Sequence, residues 1–105
     1  MSNILHSHCC YCRRRFSDAN PRTRDHFIPK SRTGNDTDNI LQCCHECNQW
    51  KADKQPDIWL TEVQRLLKHR TRVKNYQIID YKQIIGSINH WMKFFKGKQI
   101  CKYKL

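Results

Sequence analysis
The chain of 105 residues predicts a small α+β fold: a strand-loop-strand-helix unit stapled by paired cysteines, followed by a helical C-terminal extension. Three observations predict it. Two Cys-x-x-Cys pairs, Cys9/Cys12 and Cys44/Cys47, flank a short extended stretch and a turn-rich loop. Pro21, Pro29 and Pro56 divide the first half into short segments. Beyond Pro56 the apolar residues recur at helical spacing.

Each element has its own local reason. Arg22 to Ile28, bounded by Pro21 and Pro29, reads as a strand. Lys30 to Asp38 carries Ser31, Thr33, Gly34, Asn35 and Asp36 and reads as a loop. Asn39 to Cys43 reads as a second short strand. Glu46 to about Lys54 reads as a helix that stops before Pro56, because a residue preceding proline is pushed out of the helical region. A second helix begins near Pro56 and runs to about His69, with Trp59, Leu60, Val63, Leu66 and Leu67 on one face. A third spans Asp80 to Lys96, with Tyr81, Ile84, Ile85, Ile88, Trp91, Met92 and Phe95 as its stripe. Asn75 or Asp80 caps its start. Gly97 fits the residue just past its end, with Lys93 and Lys96 in the last turn. Trp91 and Phe95 read as core. Phe94 lies off the stripe and suits an interface with another subunit or a protein partner. Residues 1–56 are expected to form the cysteine-bearing core and 57–105 a basic helical extension packed on it as one compact unit.

The charge is strongly positive, with 20 Lys/Arg against 9 Asp/Glu, a formal net of +11. Residues 1–56 hold nine basic and six acidic side chains, a net of +3, whereas residues 57–105 hold eleven and three, a net of +8. Such an excess calls for a polyanion, by default DNA, with RNA also open. Arg13, Arg14, Arg15, Arg24, Lys30, Arg32 and Lys51 are the candidate phosphate contacts, set against an ordinary solvated face. No apolar run approaches the roughly 18 residues of a spanning helix, and residues 1–8 lack an apolar signal core. A cytoplasmic protein without a membrane role is expected.

Seven cysteines are an odd number, so a complete disulfide framework would leave one thiol over. Six fall in two tight clusters, and Cys101 stands alone. Cysteines paired two residues apart are the spacing of a metal site. Cys9, Cys12, Cys44 and Cys47 together supply four thiolates for a tetrahedral Zn2+, with no open position, so that the ion is structural. His8 and His45 stand as substitute ligands, and Cys10 and Cys43 as small buried filler.

Between and just after these pairs lie Asp25-His26 and Asn48. Closing both pairs on one ion brings the strand of His26 against the helix of Asn48. Asp25 and Asn48 offer hard oxygens, which suit a catalytic Mg2+ or Mn2+. A neutral His26 imidazole suits a general base. Asn39 suits a brace of the loop backbone. Taken singly, each of these residues is as readily structural.

Asp25-His26-Phe27-Ile28-Pro29-Lys30-Ser31, then Gly34, then Asn39-Ile40-Leu41-Gln42, then Cys44-His45-Glu46-Cys47-Asn48-Gln49-Trp50-Lys51 resembles the HNH (His-Me finger) endonuclease signature. The resemblance covers about residues 9–54. It implies a ββα-metal finger of the zinc-bearing, four-cysteine branch. It further implies His26 as general base, Asp25 and Asn48 as ligands of the catalytic divalent ion, and Asn39 as holder of the loop. Asn48 replaces the histidine of the family's third letter. This HNN form also occurs in active members, among them RNA-guided nucleases and phage junction-resolving endonucleases. The resemblance stops near Pro56.

Two function classes follow: a metal-dependent endonuclease acting on DNA, and a zinc-containing nucleic-acid-binding module without catalysis. One such finger cuts one strand, so a homodimer would be needed to break both. A membrane-surface role fits poorly, because the basic residues are scattered among loops.

Overall fold
The computed structural model describes residues 7–29, 39–71 and 80–97, with side chains as far as Phe95. Two antiparallel strands, β1 (Arg22–His26) and β2 (Ile40–Cys44), pair in the register Arg22 to Cys44, Asp25 to Leu41 and His26 to Ile40. Helices α1 (His45–Lys51), α2 (Pro56–His69) and α3 (Tyr81–Gly97) follow in order.

β1 is shorter than the expected Arg22 to Ile28, and Asn39 is the reason. Its backbone carbonyl accepts the Phe27 N–H at 2.9 Å. Its side chain accepts the Ile28 N–H at 2.9 Å and donates to the Ile28 carbonyl at 2.6 Å. The first bond keeps the β1–β2 register at Phe27, and the two side-chain bonds then occupy the Ile28 backbone in place of a ladder partner. β2 accordingly starts one residue later than expected and runs through Cys44.

The chain passes from β2 into α1 without a break. The Cys44 sulfur accepts the Cys47 N–H, the Asn20 amide oxygen accepts the Glu46 N–H at 2.9 Å, and the Pro21 carbonyl accepts the His45 N–H at 2.9 Å. The first turn's otherwise orphaned donors are thus satisfied from outside the helix. α1 ends at Lys51, earlier than the expected Lys54. Ala52 takes a positive φ of 52° and returns its N–H to the Asn48 carbonyl. Pro56 then opens α2 at the first helical position, where its missing N–H costs nothing.

α2 keeps its expected span and closes on Arg70, left-handed at φ 54°. It buries Trp59, Val63 and Leu66. Asp80 caps α3, accepting the Gln83 N–H at 3.0 Å; Asn75 lies outside the described residues. α3 runs through Gly97, one residue past the expected end.

One hydrophobic core joins the cysteine-bearing half to α2 and α3. Trp59 receives Tyr11 edge-on at 4.9 Å and Trp50 edge-on at 5.5 Å. Phe95 of α3 stacks on Phe27 at 5.2 Å. Such ring pairs contribute about 0.5–1.5 kcal/mol each beyond area burial. α3 also binds the first cysteine pair directly. Ser87 Oγ donates to the Tyr11 carbonyl at 2.7 Å, and Trp91 Nε1 donates to the Cys10 carbonyl at 3.1 Å. Phe94 is exposed yet sets its ring edge-on to Trp91 at 5.4 Å. Among the described residues no helix is long and apolar enough to cross a membrane.

Candidate metal centre and active site
The turn at 9–12 and the β2–α1 junction bring four sulfurs together. The Sγ atoms of Cys9, Cys12, Cys44 and Cys47 lie within 4.8 Å of one another, all on buried residues. Cys12 Sγ and Cys44 Sγ are 3.8 Å apart, the edge length of a tetrahedron with metal–sulfur bonds of about 2.3 Å. Backbone N–H groups aim at the sulfurs: Tyr11 and Cys12 donate to Cys9 Sγ, and Cys47 donates to Cys44 Sγ. The donor set fits Zn2+, and a closed four-thiolate site makes it structural. His8 and His45 are not in the cluster. His8 instead bonds Ser7, and His45 is exposed. Cys10 and Cys43 are buried beside the cluster, and burial pushes both thiols up, so they stay protonated.

Arg14, one of the expected phosphate contacts, turns toward the cysteine cluster. Its Nε donates to Cys12 Sγ at 3.2 Å, and its Nη2 donates to Cys44 Sγ at 3.6 Å and to Glu46 Oε1 at 2.7 Å. The guanidinium thus faces the sulfurs and Glu46, while the side chain stays 31% exposed. Arg13, Arg15 and Arg24 are exposed. Arg13 sits left-handed at φ 68° and closes the turn by donating to the Cys9 carbonyl at 3.1 Å. Lys30 and Arg32 lie outside the described residues.

Strand alternation puts Thr23 and Asp25 on one face of β1, and α1 covers that face. Asn48 Nδ2 donates to Thr23 Oγ1 at 3.0 Å and lies 3.5 Å from the Arg24 carbonyl. Its Oδ1 accepts nothing from the described residues. One turn further along α1, Lys51 reaches Asp25. Lys51 is fully buried, and this corrects its reading as a phosphate contact. Its Nζ lies 3.3 Å from Asp25 Oδ2, 3.4 Å from Oδ1 and 3.0 Å from the His26 carbonyl it donates to. The Tyr11 hydroxyl donates to Asp25 Oδ2 at 2.6 Å. Burial raises the Asp25 carboxyl above the usual carboxylate range, although Lys51 and Tyr11 both pull it down. His26 is half-buried, and its ring has no hydrogen-bond partner among the described residues. Asn39 is fully buried, with both amide ends on Ile28.

A family model described as HNH endonuclease matches residues 9–59. Residues 9–59 belong to the HNH endonuclease family. The matched HNH segment holds both cysteine pairs, β1, β2, α1 and the first turn of α2. No curated protein and no solved structure matches the chain. HNH membership implies a nuclease-type function with nucleic acid as substrate.

For a catalytic divalent ion the donor chemistry fits in part. Asp25 and the Asn48 Oδ1 are hard oxygens on neighbouring elements, but Asp25 already faces an ammonium. Sequence reasoning missed Tyr11, Lys51 and Arg14 as partners of the site. The three-residue spacing from Asn48 to Lys51 was the one signal that both share a helix face.

Proposed function
We propose that the protein is a metal-dependent endonuclease that hydrolyses phosphodiester bonds in DNA, acting in the cytoplasm. What supports this reading is the HNH match across residues 9–59, combined with a His26 ring that is partly exposed and unengaged among the described residues. Around it, Asp25 and Asn39 are buried and bonded. A base must be open to water, whereas the residues that orient it must be fixed.

In this mechanism an imidazole nitrogen of His26 takes a proton from the attacking water as its oxygen bonds to phosphorus and the opposite phosphorus–oxygen bond breaks. Asn39 fixes residues 27 and 28 and so the end of the strand that carries His26. Asp25 and Asn48 would hold a Mg2+ or Mn2+ ion, which would supply charge stabilisation at the phosphate and the leaving oxygen. The exposed Arg13, Arg15 and Arg24 provide phosphate contacts that give register without sequence readout.

A zinc-containing binding module without catalysis is the second reading. The observation in its favour is the Lys51–Asp25 ion pair, which satisfies the carboxylate internally. Cleavage of supercoiled plasmid separates the two, using wild type and His26→Ala at matched zinc content, with Mg2+, Mn2+ or EDTA. The endonuclease reading expects cutting by wild type alone, lost in EDTA. Salt-sensitive binding with no cutting of duplex, branched or single-stranded DNA would establish the binding module.

A further inference from the structure
The Lys51 ammonium sits where the proposed catalytic ion needs a ligand. We propose that Lys51 is the resident counter-cation of Asp25 and hands the carboxylate over to an incoming divalent ion, while keeping its bond to the His26 carbonyl. The inference rests on the metal-site reading above.

Four observations carry it. Lys51 is fully buried, so its charge is compensated by protein groups rather than by water. An uncompensated Asp25 would be costly in the same place, which explains why a cation stands there before any metal does. The contacts to Asp25, at 3.3 and 3.4 Å, are longer than the 3.0 Å bond to the His26 carbonyl. The ammonium is therefore shared between the carboxylate and the strand backbone, and the backbone carbonyl remains a partner when the carboxylate is taken. The Phe27 ring lies 6.0 Å from Nζ, a second stabilising neighbour for a cation that withdraws. Finally, two cations cannot share one buried carboxylate without strong repulsion. Lys51, on a flexible four-carbon stem, is the one that can move. Tyr11 holds Oδ2 at 2.6 Å throughout, so the carboxylate stays aimed.

The pair then acts as a threshold. The metal-free fold is kept electrically quiet, and metal binding is weakened by the work of displacing the ammonium. Removing that charge should tighten the site. The test is Mn2+ titration of zinc-loaded protein, following free Mn2+ by electron paramagnetic resonance at mildly alkaline pH. Wild type is expected to show weak binding that Asp25→Asn abolishes. Lys51→Met, with Lys51→Gln as a second variant, is expected to bind about tenfold tighter or more. Zinc content and circular dichroism establish which variants are folded. Equal or weaker binding by a folded Lys51 variant would overturn the proposal and leave the metal site standing. Absence of any Asp25-dependent Mn2+ binding in wild type and variants would remove the metal-site reading and this inference with it. A further measurement needs no variant: the Lys51 side-chain nitrogen resonance should shift on Mg2+ addition to wild type, and an unmoved resonance at saturating Mg2+ would overturn the handover.

Discussion

The Tyr11 hydroxyl donates to Asp25 Oδ2 at 2.6 Å, which ties the first cysteine pair to the strand of the candidate active site. The Tyr11 ring also packs edge-on against Trp59. Tyr11→Phe keeps that packing and removes only the donor. Leaving a buried carboxylate short of a hydrogen bond is expected to lower stability by about 1–3 kcal/mol, with zinc content unchanged. Urea denaturation measures the loss, and a loss of zinc would show that Tyr11 serves the cluster instead.

Zinc removal is expected to abolish the cooperative fold, because the ion is what would bond the two separate cysteine pairs of so short a chain to each other. The pH dependence has a definite sign. Zinc is held by thiolates, so protons compete with the ion for the four sulfurs, and zinc affinity falls as pH falls. Circular dichroism should show the zinc-loaded protein unfolding down an acid titration with release of the ion, and chelator unfolding it already at neutral pH.

Arg14 places positive charge against two cluster sulfurs and is itself oriented by Glu46. Arg14→Met is expected to speed zinc transfer to a chromophoric chelator by about tenfold or more, as loss of an orienting neighbour does at other metal sites. Arg13→Met, which removes an exposed side chain from the same turn, should leave the rate unchanged. Equal effects would return Arg14 to the general cationic surface.

Phe95 is buried and stacked on Phe27. Phe95→Ala is expected to cost about 3–5 kcal/mol. We take the two halves as one cooperative unit, so tryptophan fluorescence and zinc release should report the same denaturation midpoint in wild type and variant. Separate midpoints would mean that residues 1–56 fold alone.

Gly86 lies exposed inside α3, and a Cβ there would meet nothing within 4 Å. Gly86→Ala is therefore expected to stabilise the protein by about 0.5–1 kcal/mol, through the helical preference of alanine alone. A rise in thermal midpoint without change in zinc content checks it.

What was legible in the sequence was local. The spacing of Cys9, Cys12, Cys44 and Cys47 needed no tertiary knowledge, because two residues between cysteines already aim both sulfurs at one ion. Pro56 announced α2, and the stripe from Tyr81 to Phe95 announced α3. What was not legible depended on partners far along the chain. Lys51 reads as one more lysine of a basic protein until Asp25, 26 residues earlier, comes to lie over it. Arg14 reads as one of three consecutive arginines until Glu46 and Cys44 engage its guanidinium. The end of β1 was misread for the same reason, since Asn39 captures Ile28 from eleven residues away.

The bonds from Ser87 and Trp91 to the carbonyls of Tyr11 and Cys10 span 76 and 81 positions. During synthesis, the turn at 9–12 therefore waits a long time for the helix that finishes it. The Cys12–Cys44 closure spans only 32 positions and is available much sooner. Translation thus offers the metal a fastening before the aromatic side chains of α3 exist, and the nascent chain has a reason to be loaded with zinc early.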